Sequence, residues 1–233
     1  MTGQKIAYAT GGETRLLGAK GLQTRRRIVE ATTDLLAVTR LRDLTVAQIA
    51  RRAEMSTASF YVYFKDVTDV VLAAVEELSQ GTPGVLALLS ADWTAASSPQ
   101  LAKELVTQYV RFWQDHCVLF RIRNLAAEEG DDRFSQARHK AVKPVQEKIE
   151  RIVVMRQAEG RLPLHLKPTS FSGSLLALLE RIAAVSCTIV HGDSPLNVAI
   201  YGGSEGLTDL IDSTAHIIAS MLSDNPVEYS IDT

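Results

Sequence analysis

Cysteine is nearly missing from this chain. The two present, Cys117 and Cys187, stand far apart in helical-looking apolar surroundings. A disulfide or zinc framework is therefore not expected, and two buried thiols are the simpler reading. Long apolar runs are missing as well. A membrane span takes roughly 18 residues, and the nearest run, Ile182 to Val190, is hemmed in by Glu180, Arg181 and His191. The first 20 residues hold no apolar core followed by a cleavage site, so no signal peptide is expected. These absences predict a soluble, cytoplasmic protein with no membrane partner. Enzyme chemistry is also lacking. The five histidines, His116, His139, His165, His191 and His216, form no His-x-x-x-His or His-Glu-x-x-His pattern that would place a metal on one helix face. No Walker loop, nucleophile elbow or dinucleotide fingerprint occurs, and Gly202-Gly203-Ser204-Glu205-Gly206 lacks the spacing that cradles phosphate. No catalytic residue, metal site or cofactor is expected.

What is present is an ordinary globular composition, 46% apolar and 22% charged over 233 residues, enough for one long domain or two short ones. The net charge of −2 hides an asymmetry. Residues 1–65 hold 11 Lys and Arg against 5 Asp and Glu, whereas residues 66–233 hold 14 against 22. A basic head on an acidic body suits an anionic partner for the head alone, with nucleic acid the first candidate.

Apolar periodicity divides the chain. Residues 1–20, with Lys5, Arg15 and Lys20 but no periodicity, read as a mobile basic arm. A helix starts near Leu22, with Ile28, Ala31, Thr32, Leu35 and Leu36 on one face. Thr45 and Gln48 form a capping box before Val46, Ile49, Ala50 and Ala53. Ala53-Glu54-Met55 interrupts, and Ser56 caps a helix over Thr57 to Phe64. Asp66 caps another, with Val67, Val70, Val71, Ala74 and Val75. After a loose connection to Pro99, helices are predicted over Leu101–Leu119, Arg121–Glu129, Phe134–Glu159 (kinked or started by Pro144), Thr169–His191 and from Gly203 to about Leu222. No period-two strand is evident. The fold class is all-α. An arm over 1–20 leads to a three-helix head over 21–79, and then to a helical body over 80–233.

Two short helices joined by a three-residue turn make a helix-turn-helix, whose second helix enters the major groove of DNA. Residues 24–72, carrying TRRRIVEATTDLLA, LTVAQIARRAEMSTASFYVYF and a helix opening at Asp66, resemble the DNA-binding domain of the tetracycline-repressor (TetR) family. Phe60 and Phe64, one turn apart, are expected to pack on Ile49, Ala50 and Leu35, leaving Thr57, Ser59 and Tyr61 outward. Tyr61 and Tyr63 offer phenolic hydrogen bonds to phosphates, Lys65 a charge, and Ser56 and Thr45 open helix ends where phosphate binds. Arg25, Arg26 and Arg27 sit unfavourably beside a helix N-terminus, which nearby phosphate would offset; Arg25 is taken as a DNA contact. Arg51 and Arg52 read as a solvated face. The chain departs from the family at Glu54, where glycine is usual, and at Val67-Thr68, where Lys-Glu is usual.

The resemblance implies that residues 80–233 bind a ligand and dimerise through the last two helices. Tyr109, Phe112, Trp113, His116 and Phe120 gather aromatics for an apolar pocket, and Glu180 with Arg181 is its expected polar anchor. F-W-x-x-H with L-L-x-L-L-E-R resembles the ethionamide-resistance-regulator branch of the family. What is implied is a ligand-responsive repressor. It would bind a pseudo-palindromic double-stranded DNA operator as a homodimer and be released by a small apolar effector. The alternative, motivated by Glu54 and Val67, is an interaction protein of the same fold that has lost specific DNA binding.

Overall fold

A computed structural model of the chain describes residues 6–10, 13–78, 83–190, 199–200 and 202–223. Lys5 of the expected arm and His191 at the expected end of the long apolar helix fall outside them. The residues gather into two units, Met1–Leu78 with Val118–Arg138, and Ser79–Cys117 with His139–Thr233. The head is therefore discontinuous in sequence. Residues 118–138, assigned to the body from the sequence, fold with it.

In the first unit, β1 (Ile6–Thr10) and β2 (Glu13–Leu17) pair antiparallel, with Ile6 opposite Leu17 and Thr10 opposite Glu13. This hairpin corrects the reading of residues 1–20 as an arm without strands. Its sequence signal is Gly11-Gly12 between two short runs, a pair suited to two-residue hairpin loops. Helices carry the rest: α1 (Ala19–Leu36), α2 (Val46–Arg52), α3 (Thr57–Phe60), α4 (Val67–Leu78), α7 (Cys117–Glu128) and the start of α8 (Asp132–Ala158). Ile28, Ile49, Ala50, Phe60, Phe64, Val70 and Val71 share one core, to which α7 adds Leu119 and α8 adds Phe134 and Ala137.

Arg25 belongs to that core. It precedes Ile28 by three residues and so lies on the buried face of α1, 7% exposed. Its guanidinium stands 4.9 Å from the centre of the Phe64 ring, and Nη1 donates to Glu77 Oε1 at 3.0 Å. The expected phosphate contact from Arg25 does not fit this placement. Arg26 and Arg27 are the exposed members of the triplet.

The turn after α2 ends in a left-handed residue. Glu54 has φ of 53°; its N–H donates to Arg51 O at 3.2 Å and the N–H of Met55 to Ala50 O at 2.9 Å. That pair of bonds closes a helix through a position glycine usually fills.

The second unit holds α5 (Pro83–Leu88), α6 (Ser98–Asp115), the remainder of α8, α9 (Pro168–Val190) and α10 (Gly203–Leu222). α6, α9 and α10 pack on one another, and α5 packs on α6. By length and composition α9 could cross a membrane, with mean hydropathy 1.7 over 18 residues. Here its Leu175, Leu176, Leu179, Ile182, Val185 and Ile189 are buried, as in a core helix. Arg156 is buried at 5% exposure. It donates to Trp93 O at 3.0 Å, Leu222 O at 3.2 Å and Glu159 Oε2 at 2.9 Å, joining α8 to the end of α10 and the segment before α6.

Three details differ from the sequence reading. α8 begins at Asp132 and runs through Pro144 without stopping. The helix expected over Leu101–Leu119 breaks at His116, so that α6 ends and α7 begins there. That break sets Cys117 beside Cys187 of α9, with Cα atoms 5.8 Å apart, and the two form a disulfide. The expected pair of free thiols is thus overturned. Nothing in the sequence spacing announces it, because the pairing depends on how α9 lies against the α6–α7 break.

Replacing Glu54 by Gly relieves a left-handed side chain worth about 1–2 kcal/mol, partly offset by glycine's backbone entropy of about 0.5–1 kcal/mol. The urea midpoint is expected to rise at unchanged slope; a lower midpoint would show that the turn holds no strain. Arg25→Ala is expected to cost about 2 kcal/mol through the lost ring contact and buried stem. Arg26→Ala, at an exposed site, should stay within about 0.5 kcal/mol in the same titration.

Candidate nucleic-acid interface

The geometry of the helix-turn-helix follows from which side chains the core takes. Phe60 is fully buried, Phe64 nearly so, and their ring centres lie 6.0 Å apart. They share the core with Ile49 and Ala50, and Leu35 packs against it. A side chain every fourth residue marks one helical face, so the residues between must point elsewhere. Thr57, Ala58, Ser59, Tyr61, Val62 and Lys65 are exposed, and Tyr63 is half-buried.

Both short helices are capped from within. The Thr45 hydroxyl accepts from Gln48 N at 3.3 Å and donates to Gln48 Oε1 at 2.7 Å, while Thr45 N donates to the same oxygen at 2.8 Å. The expected capping box has formed. Ser56 Oγ accepts from Ser59 N at 3.1 Å, and the two serine hydroxyls lie 2.9 Å apart. The regular α-helix covers only Thr57–Phe60, shorter than the Thr57–Phe64 expected. Val62 N to Ser59 O at 3.3 Å and Tyr63 N to Phe60 O at 2.9 Å carry it on as tighter turns. Tyr61 meets Phe60 edge to face, ring centres 5.5 Å apart, so its ring is braced although the residue is largely exposed.

The departures from the family pattern have structural places. Val67, where lysine is usual, is partly buried against the head core. Asp66 Oδ1 accepts from Asp69 N at 2.8 Å and Asp69 Oδ2 from Lys65 N at 3.0 Å, which caps α4 and fixes the Lys65 backbone. Arg52 is ion-paired with Asp34, consistent with a solvated face. Sequence reasoning missed the brace from α7 and α8. There Arg133 donates to both oxygens of Asp131, at 3.0 and 2.7 Å. This hydrogen bonding holds the Asp131 carboxyl below its usual range, while the Asp131 bond and the nearby Asp66 and Asp69 charges raise Arg133.

The residues expected to line a ligand pocket differ in burial, and one of them lies in the other unit. Tyr109 and Trp113 are buried in the core of the second unit, ring centres 6.3 Å apart. Phe112 and His116, half-buried, meet edge to face at 5.2 Å. Burial pushes the His116 imidazole below its ordinary pKa, opposed by the Asp115 charge. Glu180 is buried and Arg181 exposed. Phe120 belongs to the first unit, under the Arg123 guanidinium at 4.8 Å. A cavity of about 10 Å³ opens instead among Leu89, Leu105, Ile149, Leu175, Leu179, Ile218 and Leu222. Room for about one water, with an aliphatic lining, makes a dry void.

Comparison with known proteins places both parts. A model of bacterial regulatory proteins of the tetR family matches residues 28–74, and one of the tetracyclin repressor-like C-terminal domain matches residues 87–192. Over 55 residues the chain is 38% identical to the HTH-type transcriptional regulator BetI of Klebsiella pneumoniae (strain 342), a match covering 24% of this chain and 28% of that protein. Among solved structures, the fatty acid degradation regulator FadR from Bacillus halodurans superposes with TM-score 0.60 at 14% identity, covering 84% of this chain and 94% of its own. FadR from Bacillus subtilis, in complex with stearoyl-CoA, gives 0.61 at 14% identity, covering 84% and 98%. MbdR from Azoarcus sp. CIB gives 0.57 at 15% identity, covering 88% and 100%. At such identities the structures speak for the fold, an N-terminal helix-turn-helix followed by a helical C-terminal domain. Matched by the models of both of its domains, the chain belongs to the tetracycline-repressor (TetR) family of bacterial regulatory proteins.

Proposed function

We propose that the protein is a cytoplasmic, ligand-responsive transcriptional repressor that binds a pseudo-palindromic DNA operator as a homodimer. The family and fold are those of regulators rather than enzymes. The observation that carries the reading is the division of one short segment. Phe60 and Phe64 are locked in the core, while Thr57, Ala58, Tyr61, Val62 and Lys65 stand exposed on the basic head. The exposed set offers a hydroxyl and methyls to base edges, and a phenol and an ammonium to phosphates. It includes no Arg, Asn or Gln for bidentate base contacts, so specificity rests on thymine methyls and on DNA shape. Arg26 and Arg27 take the phosphate role first assigned to Arg25, and Ser56 and Ser59 hold the helix start in place.

The effector is a largely apolar small molecule that lodges in the helical body by widening the aliphatic void among α6, α8, α9 and α10. Support comes from the lining of that void and from the stearoyl-CoA complex of a FadR of similar fold. Tyr109, Trp113 and the buried Glu180 lie on two of these helices, α6 and α9. Only a ligand that prefers the arrangement unable to hold DNA can act as an inducer. Dimerisation uses α9 and α10, where Val190 and Ile217 leave apolar side chains exposed.

A gel shift with DNA flanking the protein's own gene tests the reading. Retarded DNA with a footprint of two half-sites about one helical turn apart, or at a multiple of it, is the expected result. Tyr61→Phe and Lys65→Ala should each weaken binding across sequences, Lys65→Ala also lowering the salt slope by about one, with thermal stability unchanged. Absence of binding even to nonspecific DNA at low salt would favour the interaction protein that has lost DNA binding, for which exposed Glu54 and inward Val67 are the motive. Sedimentation at micromolar concentration should give a dimer; a monomer would remove the two-fold model.

A further inference from the structure

The disulfide is the feature that the proposed function leaves unused. Cys117 and Cys187 are the only cysteines in the chain, so their pairing has no competitor. Their Cα separation of 5.8 Å lies within the span a disulfide bridges without backbone movement. Cys117 opens α7 directly after the break at His116, and is the last residue of the second unit before the chain passes into the first. Cys187 lies in the last turn of α9, and both residues are half-buried. The Cys187 sulfur stands 3.5 Å from the Trp113 carbonyl oxygen, an acceptor waiting for the S–H of the reduced form. Cys117 stands at the N-terminus of α7, the kind of position where reactive cysteines are found, and is taken as the attacking member.

We propose that Cys117 and Cys187 form a reversible dithiol–disulfide site that reacts with peroxide and fastens the α6–α7 break to α9 when oxidised. The Cys117 thiolate attacks the O–O bond of hydrogen peroxide; an S–O bond forms, the O–O bond breaks, and hydroxide leaves as water. The Cys187 sulfur then attacks the sulfenic acid of Cys117, forming the S–S bond and releasing the second water. Two thiols lose two electrons, and one peroxide becomes two waters. A small dithiol reverses the change by exchange, its own sulfurs becoming the disulfide. The reducing cytosol keeps such pairs open, so the bridge would record oxidant. Because the site is defined by its own chemistry, it stands whether or not the protein proves to bind DNA.

The test uses the full chain, reduced with dithiothreitol and desalted. Alkylation should count two thiols, and none after one equivalent of hydrogen peroxide, with loss of two hydrogens in the intact mass and a monomeric band on a non-reducing denaturing gel. Closing a loop of 70 residues should raise the melting temperature of the oxidised form by about 10 °C, a rise absent from the Cys117→Ser/Cys187→Ser variant. Cys187→Ser treated with peroxide and dimedone should carry the adduct on Cys117. Chain-to-chain disulfides in place of the internal one would overturn the proposal. So would thiols that persist at stoichiometric peroxide, or a bridge that dithiothreitol cannot open below the melting temperature.

Discussion

The head depends on the placement of two phenylalanines. With Phe60 and Phe64 held among Ile28, Ile49, Val70 and Val71, the short segment after Ser56 has no freedom to roll about its axis. Each polar or small residue between them is fixed in direction by that burial. Removing a large aromatic from such a core costs about 3–5 kcal/mol, more than any exposed contact in the same segment supplies. The reading surface therefore follows from packing. A helix of barely one turn has little stability of its own, and it is kept in shape by its Ser56 cap and by the hydrophobic contacts beneath it.

Legibility in the sequence follows the range of the interactions involved. The capping box of Thr45 and Gln48, the Ser56 cap and the inward phenylalanines depend on neighbours three or four residues apart, and all stand where periodicity places them. The place of Arg25 could have been read the same way, since it shares a face with Ile28 and Val29. The triplet of arginines suggested a charge cluster where only two members are outward. The hairpin carried its Gly-Gly signal, but Ile-Ala-Tyr-Ala-Thr does not alternate apolar with polar residues and so does not stand out. The brace from Leu119, Phe134 and Ala137 and the meeting of Cys117 with Cys187 are long-range facts, which no local pattern encodes. The pocket residues are ambiguous for a related reason. A stripe of aromatics on α6 is equally suited to a core and to a cavity, and Tyr109 and Trp113 are used as core.

In the body, a buried cation stands among apolar helices. Arg156 spends its guanidinium on two backbone carbonyls and one carboxylate, so a charge that would otherwise be costly to bury is satisfied on several sides. One of those carbonyls belongs to Leu222, at the C-terminal end of α10, where the helix dipole favours a positive group. Beside this fixed point the aliphatic void is small and dry, so any guest of useful size must move helices to enter. Under the proposed function, that requirement would give a ligand its means of changing the conformation of the body.

The discontinuity of the head bears on how this protein can be recombined with its relatives. A chimaera joined near residue 79 would keep α1 to α4 but supply a foreign α7, and the native core would meet strangers at the positions of Leu119, Phe134 and Ala137. Exchanging the reading module intact requires two crossovers more, flanking residues 118 and 138, because the unit of inheritance in three dimensions is not one interval of the gene.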